Sequence, residues 1–310
     1  MRRTKDKRNQ QSTARLKVLK QPGVVYTVRC PGTHCDCAHF GVDCRRGFFS
    51  LWIQAIYGRH FANKLGISSY IDFGDKPYLY SDPAKYDGDL NFWNYYYLQD
   101  VDQHQGRTVP NNYIENYPLR IWKRSHFKKV HRSAVEDLVL KDHVQTYVGY
   151  LSERCSKYRT LGVHIRSTDH PVEVETIPLE RYFKILDKNS KKYEKFFIST
   201  DNSKALTLMI KEFGEDRIIF QEAVRSENQE AIHTNMLHPN RYLLGLQVLA
   251  DCYALSVCQA AVLVHSNVSY GALLLNPKMR YTLLESPKAR RNRLKTGALY
   301  TLDRWGIRKM

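Results

Sequence analysis

A short apolar segment that ends in charged residues constrains this chain more than any other feature of its sequence. Residues 161–165 have the pattern of a buried β-strand, and they run directly into Arg166 and Asp169. Open α/β sheets bind their ligands at the carboxyl ends of parallel strands. An arginine at such an end can donate two hydrogen bonds to one phosphate or carboxylate. The segment therefore predicts an anion site, suited to a nucleotide diphosphate as a leaving group.

Strands and helices alternate along the second half of the chain, which predicts a parallel α/β sheet. After 161–165, strands are expected at 195–199, 217–220, 260–264 and 281–284, and helices at 178–188, 202–213 and 241–258. The first half begins in the same way, with a strand at 24–28, a helix at 51–65 and a strand at 67–73. We expect irregular structure and short elements over 74–130, followed by a linking helix over 133–150.

The length of 310 residues predicts two domains, with one large domain as the alternative. We expect a basic flexible arm at 1–22, a first Rossmann-like domain at 23–150, a second at 151–285 and a basic tail at 286–310. The predicted fold class is therefore α/β, with two Rossmann-like domains that face each other and contain parallel sheets.

The net charge of +17 predicts an anionic partner, either nucleic acid, an anionic membrane surface or a phosphorylated substrate. Basic ends of a chain are usually solvated and disordered. No segment has the apolar length of a membrane span or of a signal peptide. We therefore expect a cytoplasmic protein, with peripheral membrane contact as an option.

Four of the seven cysteines cluster within fifteen residues, and two histidines lie among them. Three interpretations stay open: a zinc knot, a disulfide-stapled loop in an oxidising compartment, or free thiols in a reducing one. The spacing differs from the usual paired Cys-x2-Cys knuckles. The four residues are Cys30, Cys35, Cys37 and Cys44.

Polar residues follow three of the predicted strands, and parallel strands bring such ends to one edge of the sheet. The three groups are His164 to Asp169, Ser199 to Asp201, and His265 to Asn267 with Ser269. Simpler interpretations exist for each residue alone: an ion pair between Arg166 and Asp169, a helix cap at 199–201, and a core histidine at 164. The sequence contains neither G-x-G-x-x-G nor a P-loop, which excludes the usual dinucleotide and P-loop sites.

Asp251 strengthens the prediction of a nucleotide site. It occurs in the middle of an otherwise apolar helical segment, Leu249-Ala250-Asp251-Cys252-Tyr253-Ala254-Leu255. A half-buried carboxylate requires a hydrogen-bond donor, and a guanine base offers two N–H groups to one carboxylate.

Three ordered segments resemble the α1,6-fucosyltransferases, the family of the core fucosyltransferase of N-glycans and the bacterial nodulation fucosyltransferases. Residues 164–169 resemble the H-x-R-x-T-D segment of that family, and 198–202 its second motif, a strand that ends in Thr-Asp. Residues 251–266 resemble its third motif. The chain departs from the pattern at Ser167, where a second arginine is common, and at Asn267, where serine is frequent.

The resemblance implies a GT-B architecture and an inverting, metal-independent transfer of fucose from GDP-fucose, with no cofactor. Arg166 would bind the β-phosphate and stabilise the departing GDP, while His164 and Asp251 would contact the guanine. Asp169 and Asp201 would organise the sugar site. The full set of implied nucleotide-binding residues is His164, Arg166, Asp201, Asp251, Ser266, Asn267 and Ser269.

For the catalytic base, the family pattern points to a glutamate a few residues beyond Thr-Asp. This chain offers Glu173 and Glu175 there, and we expect Glu175, with Asp169 as the fallback. The implied partners are a GDP-sugar donor and an oligosaccharide or glycolipid acceptor. Two alternatives stay open: a transferase for another nucleotide sugar, and a basic protein that binds nucleic acid or a membrane surface. For such a basic protein, nucleic acid is a less expected partner than a membrane surface.

Overall fold

The computed structural model of this protein describes residues 18–19, 21–30, 44, 46–99, 107–110, 120–166, 177–226 and 240–307. Within these ranges the strands form two sheets, and every strand pair in both sheets is parallel. The strands are β1 (Val24–Val28), β2 (Ser68–Ile71), β3 (Arg107–Pro110), β4 (Thr160–Ile165), β5 (Lys195–Thr200), β6 (Ile218–Ile219), β7 (Ala260–Val264) and β8 (Arg280–Leu284). The helices are α1 (Phe48–Leu65), α2 (Trp93–Tyr96), α3 (Arg124–Ala134), α4 (Asp142–Ser156), α5 (Leu179–Asn189), α6 (Ser203–Phe213), α7 (Arg241–Val257), α8 (Asn267–Leu275) and α9 (Pro287–Arg304).

The smaller sheet has the strand order β2-β1-β3, and its central strand β1 is buried along its whole length. Helix α1 connects β1 to β2 and ends at Gly66, whose positive φ of 69° suits glycine at a helix C-terminus. At Gly58 the helix approaches β1 so closely that a Cβ atom would lie 2.3 Å from a methyl carbon of Val28. Glycine at this position therefore sets the spacing between α1 and its sheet.

The larger sheet has the order β6-β5-β4-β7-β8, so β4 and β7 are neighbours at its centre. Helices α5 and α6 cover one face and form a compact core with the strands. The opposite face packs against α7 and α8, within a second core that continues into β1 and α1 of the smaller sheet. The two sheets thus share one hydrophobic core through α7 and α8.

The contact between the halves of the chain is aromatic and close. The hydroxyl of Tyr96 donates to the carbonyl of Tyr242 at 2.8 Å, and the two rings stack. At Gly245, one turn further along α7, a Cβ atom would lie 2.1 Å from the Tyr96 hydroxyl. This packing fixes α7, and therefore the face of the larger sheet beneath it, against the first half of the chain.

The predicted α/β class with parallel sheets is confirmed, and the predicted strands and helices of the second half are present with small shifts at their ends. The single helix predicted over 133–150 is wrong, because α3 and α4 occupy that region. Between them, residues 135–137 form a turn, and the chain then reaches an antiparallel bridge from Leu140 to Tyr97 with backbone hydrogen bonds on either side. A long-range pairing thus interrupts a segment whose local pattern is helical.

The 74–130 region, expected to be irregular with short elements, contains the four-residue α2 and the four-residue β3. The segment expected to be a basic tail contains the 18-residue helix α9, whose N-terminus is capped by Ser286 and whose first residue is Pro287. Tyr300 is buried, so this helix is anchored to the rest of the protein. Among the described residues, no helix combines the length and apolarity that crossing a membrane requires.

Candidate functional site

His164 lies at the centre of the polar strand ends. It is the residue before the end of β4, it pairs in register with Ser199 of β5, and it is 7% exposed. Its Nδ1 atom lies 2.8 Å from the hydroxyl of Ser269 and 3.1 Å from that of Ser266. Burial and the neighbouring Arg166 lower the pKa of His164 to about 3, so the imidazole stays neutral at physiological pH.

Ser266 places the amino end of α8 beside this histidine. It is the N-cap residue of the helix, and its hydroxyl accepts a hydrogen bond from the backbone N–H of Ser269 at 3.0 Å. The first N–H groups of a helix and its dipole favour an anion at that end. The Ser269 side chain is buried and hydrogen-bonded to His164, so its hydroxyl helps to hold the imidazole in position.

Asp251 lies on α7 on the other side of the His164–Ser199 pair. Its Oδ2 accepts a hydrogen bond from the Ser199 hydroxyl at 2.8 Å. The side-chain amide of Gln221 is oriented so that its nitrogen faces two acceptors. That nitrogen donates to Oδ1 of Asp251 at 2.8 Å. Burial raises the pKa of Asp251 to about 7, against the lowering effects of Ser199 and of Arg225. The carboxyl group therefore changes its protonation near neutral pH.

Arg166 and Asp201 are the residues that directly follow β4 and β5. Arg166 is partly exposed, and its charge reaches His164, whose pKa it lowers. Asp201 is near enough to Asp251 to contribute to the raised pKa of that carboxyl. The helix cap that follows β5 is Asn202, whose side chain accepts from the backbone N–H of Ala205 at 2.9 Å. Asn202, and not Asp201, therefore caps α6.

Arg120 is a residue of the site that the sequence did not indicate. Its Nε and Nη2 atoms donate to Oδ1 of Asn267, at 3.1 and 3.0 Å, and its guanidinium lies over the ring of Tyr270. Burial lowers the pKa of Arg120, and the nearby charge of Arg46 lowers it further. Arg120 therefore brings a second guanidinium from the first half of the chain to the amino end of α8.

His265 belongs to the third predicted cluster, but its side chain contacts the neighbouring strand. Its Nε2 lies 2.8 Å from Glu285, which follows β8, and Glu285 also forms two hydrogen bonds with Arg293 of α9. Those bonds to Arg293 and His265 lower the pKa of Glu285 against the opposing effect of burial. The ring of Trp122 meets His265 edge-on at 5.0 Å. This network ties α9 to the edge of the sheet.

Several predicted residues lie outside the described part of the chain. They include Asp169 and Glu175, so their catalytic roles stay predictions, as does the role of the neighbouring Glu173. Cys35 and Cys37 also lie outside it, while the sulfur atoms of Cys30 and Cys44 are 3.7 Å apart. Among the described residues, no group of three or more metal-ligating side chains comes together.

The site thus brings together most of the predicted nucleotide-binding residues that the structure describes. His164, Ser199, Asp251, Ser266 and Ser269 form one connected polar row across the ends of β4, β5 and β7 and the start of α8. Arg166 and Asp201 stand at the ends of two of these strands. Together, the row and Arg166 offer neutral hydrogen-bonding groups, one titratable carboxyl and a guanidinium to a ligand at this edge of the sheet.

The two parallel sheets, with helices on both faces of the larger one, define an α/β fold of the Rossmann-like class. No protein-family model matches the sequence, and no curated protein matches it. Among solved structures, the fold is similar to that of the fucosyltransferase NodZ from Bradyrhizobium, with a TM-score of 0.50 at 13% identity. That match covers 83% of this chain and 93% of the other. A crystal of the NodZ α1,6-fucosyltransferase with GDP matches with a TM-score of 0.47, also at 13% identity, over 83% and 93% of the two chains.

The resemblance to the α1,6-fucosyltransferases is therefore confirmed at the level of the fold.

Proposed function

We propose that this protein is a glycosyltransferase that transfers fucose from GDP-fucose to a hydroxyl group of a glycan acceptor. The polar row at the ends of β4, β5 and β7 carries the proposal, because it lies where parallel α/β sheets bind their ligands. The fold, similar to that of a fucosyltransferase crystal structure, supports it. A GT-B-like arrangement of two facing Rossmann-like domains is part of the proposal, with the donor bound mainly by the larger sheet.

Guanine recognition falls to Asp251 and His164 in this proposal. A carboxylate can accept from both the ring N–H and the amino group of guanine, which adenine and uracil cannot reproduce. The neutral imidazole of His164 adds a polar group that stays uncharged, since its pKa is about 3. A base that lacks the two donors would leave the carboxylate of Asp251 with only Ser199 and Gln221 as partners, so it would bind less tightly than guanine.

The pyrophosphate would lie between Arg166 and the amino end of α8. Both groups favour negative charge, the first through its fixed positive charge and the second through its N–H groups and dipole. Asn267, the first residue of α8, has its amide oxygen bound by Arg120. Its amide N–H groups are thereby directed away from Arg120, and we propose that they donate to a phosphate oxygen.

The proposed reaction is a single displacement at the anomeric carbon, which inverts its configuration. The acceptor oxygen forms a bond to that carbon while the bond to the β-phosphate oxygen breaks, and GDP leaves with the electron pair. Arg166 would stabilise the charge that develops on the phosphate, so that no metal ion is required. The acceptor proton would pass to a carboxylate, for which Glu175 is the leading candidate and Asp169 the fallback.

A thermal-shift experiment with GDP tests the donor site. A ligand at a hundred times its Kd stabilises the folded state by about 2.7 kcal/mol, so GDP at saturation should raise the Tm. Arg166→Ala should abolish the shift, while Arg132→Ala, an exposed arginine on α3, should leave it unchanged. No shift with millimolar GDP in the wild-type protein would contradict the proposal.

A screen of nucleotide sugars tests the reaction itself. GDP release from GDP-fucose should rise when a suitable oligosaccharide is added, and UDP-sugars and ADP-sugars should compete weakly. A stronger response to another nucleotide would select the alternative transferase. RNA or DNA that shifts the Tm while nucleotides do not would select a nucleic-acid-binding protein.

A further inference from the structure

Helix α9 is attached to the protein along one face only. Gly297 and Tyr300 are buried on that face, where a Cβ at Gly297 would lie 3.1 Å from the side chain of Lys123. The ring of Tyr300 meets His126 edge-on at 5.0 Å. Arg293 reaches Glu285 from the same helix. The opposite face of α9 is left at the protein surface.

Three large apolar side chains are exposed on α9 or just beyond its end. Arg291, Leu294 and Ala298 follow one another at helical spacing and are all exposed, with Leu294 at 56%. Trp305 and Ile307, just beyond the end of the helix, are 71% and 68% exposed. A tryptophan and two aliphatic side chains exposed along α9 and just beyond its C-terminus favour a binding surface over a merely solvated one.

Positive charges flank these apolar residues. The segment 287–307 contains six Lys or Arg and a single acidic residue, Asp303. Its exposed cations are Lys288, Arg290, Arg291, Lys295 and Arg304. At the end of the helix, Lys64 and Arg304 lie near enough to Lys129 to help lower its pKa, after the larger effect of burial. The cations therefore continue from α9 onto α1 and α3.

We propose that this surface of α9, defined by Arg290, Arg291, Leu294, Trp305 and Ile307, docks on an anionic lipid bilayer. A cationic surface that exposes Leu, Trp and Ile side chains is suited to lie against the headgroups, with these apolar side chains inserted among them. The cations then meet lipid phosphates, and tryptophan prefers the boundary between headgroup and acyl chain. A second copy of this chain is a poorer occupant, because it would bring the same positive charges into contact.

Vesicle co-sedimentation of the full chain tests the electrostatic part. The protein should bind vesicles of phosphatidylcholine with phosphatidylglycerol, and bind phosphatidylcholine alone much more weakly. Each cation near an anionic surface strengthens binding about fivefold, so the double variant R290Q/R291Q should bind roughly 25-fold more weakly. The matched control is K204Q/K211Q, which removes two exposed lysines from α6 and leaves the net charge the same as in the first variant. Helix α6 joins β5 and β6 at the opposite edge of the larger sheet, so this control should bind like the wild-type protein.

The apolar part has its own pair of variants. L294S/W305S should weaken binding to the mixed vesicles by about tenfold or more, because burial of a leucine side chain alone is worth that factor. L208S, which alters a 43% exposed leucine of α6, should have no effect. All seven substitutions in these four variants are at exposed positions, so an unchanged Tm is the check that each variant folds.

Tryptophan fluorescence reports the depth of docking. The chain has four tryptophans, and Trp52, Trp93 and Trp122 are buried while Trp305 is exposed. Anionic vesicles should therefore shift the emission of Trp305 to shorter wavelength, and W305F should remove this shift.

Three outcomes would overturn the proposal. Vesicle binding that survives both α9 variants would place the contact elsewhere, for example in the basic arm at 1–22. Binding that falls equally in the α6 controls would reflect net charge alone. A dimer in solution that L294S/W305S dissociates would assign the surface to a second copy of the chain. None of these measurements depends on the donor site, so they stand or fall separately from the proposed reaction.

Discussion

The substitution Asp251→Asn tests how the proposed guanine site works. The pKa of Asp251 is raised to about 7 by burial, while guanine N–H donors favour the ionised carboxylate. GDP should therefore bind more tightly as the pH rises through 7. With a pKa near 7, about one molecule in eleven is ionised at pH 6 and about ten in eleven at pH 8. The contribution of Asp251 to GDP affinity should accordingly rise about tenfold between these two pH values.

The measurement is a GDP titration at pH 6, 7 and 8 with constant ionic strength, on the wild-type protein and on Asp251→Asn. The terminal phosphate of GDP itself titrates near pH 6, but this affects both proteins equally. The ratio of the two affinities therefore isolates Asp251. His164 does not interfere, because its pKa of about 3 keeps it neutral throughout this range.

We expect the wild-type protein to bind GDP at least about tenfold more tightly than the variant at pH 8. The ratio of their affinities should fall about tenfold at pH 6. A ratio that stays the same at all three pH values would refute the assignment of guanine to this carboxyl. Asp251 would then serve only to hold Ser199 and Gln221 in place within the core.

Three further predictions follow from individual contacts. Arg120→Ala should weaken GDP binding roughly tenfold by freeing the Asn267 amide, and a double-mutant cycle with Asn267→Ala should show coupling between the two residues, whereas additive losses would contradict a positioning role. Gly58→Ala should destabilise the protein by about 1–3 kcal/mol in urea unfolding, because its methyl group would overlap a side chain of β1. The matched control Gly149→Ala, in the middle of α4 with open space around it, should instead stabilise by about 1 kcal/mol. Without ligand, the folded state holds the proton of Asp251 more tightly than the unfolded state does, so ionisation of this group lowers stability as the pH rises from about 4 to 7. Asp251→Asn should therefore raise the Tm more at pH 8 than at pH 5. An equal change in Tm at both pH values would count against the raised pKa.

Much of the fold is determined by local sequence. Strands β4, β5 and β7 are buried on both faces, so each is a short and nearly continuous apolar run that can be recognised without knowledge of its neighbours. The polar residues that follow these strands could be placed together because parallel strands all end at one edge. The caps at Asn202 and Ser266 are likewise local, since each side chain bonds to a backbone N–H three residues ahead.

What the sequence could not supply depends on contacts between distant residues. Arg120 reaches Asn267 across 147 positions, and no local pattern marks an arginine in an irregular segment as part of a site. Pairing of Leu140 with Tyr97 divided a helical pattern into two helices. The segment predicted to be a basic tail is a packed helix, because Tyr300 is buried and its ring contacts His126. Local periodicity sets which segments form strands and helices, whereas the free energy of these long-range contacts exists only once the chain has folded, and it decided how the elements pack and which charges meet at the site.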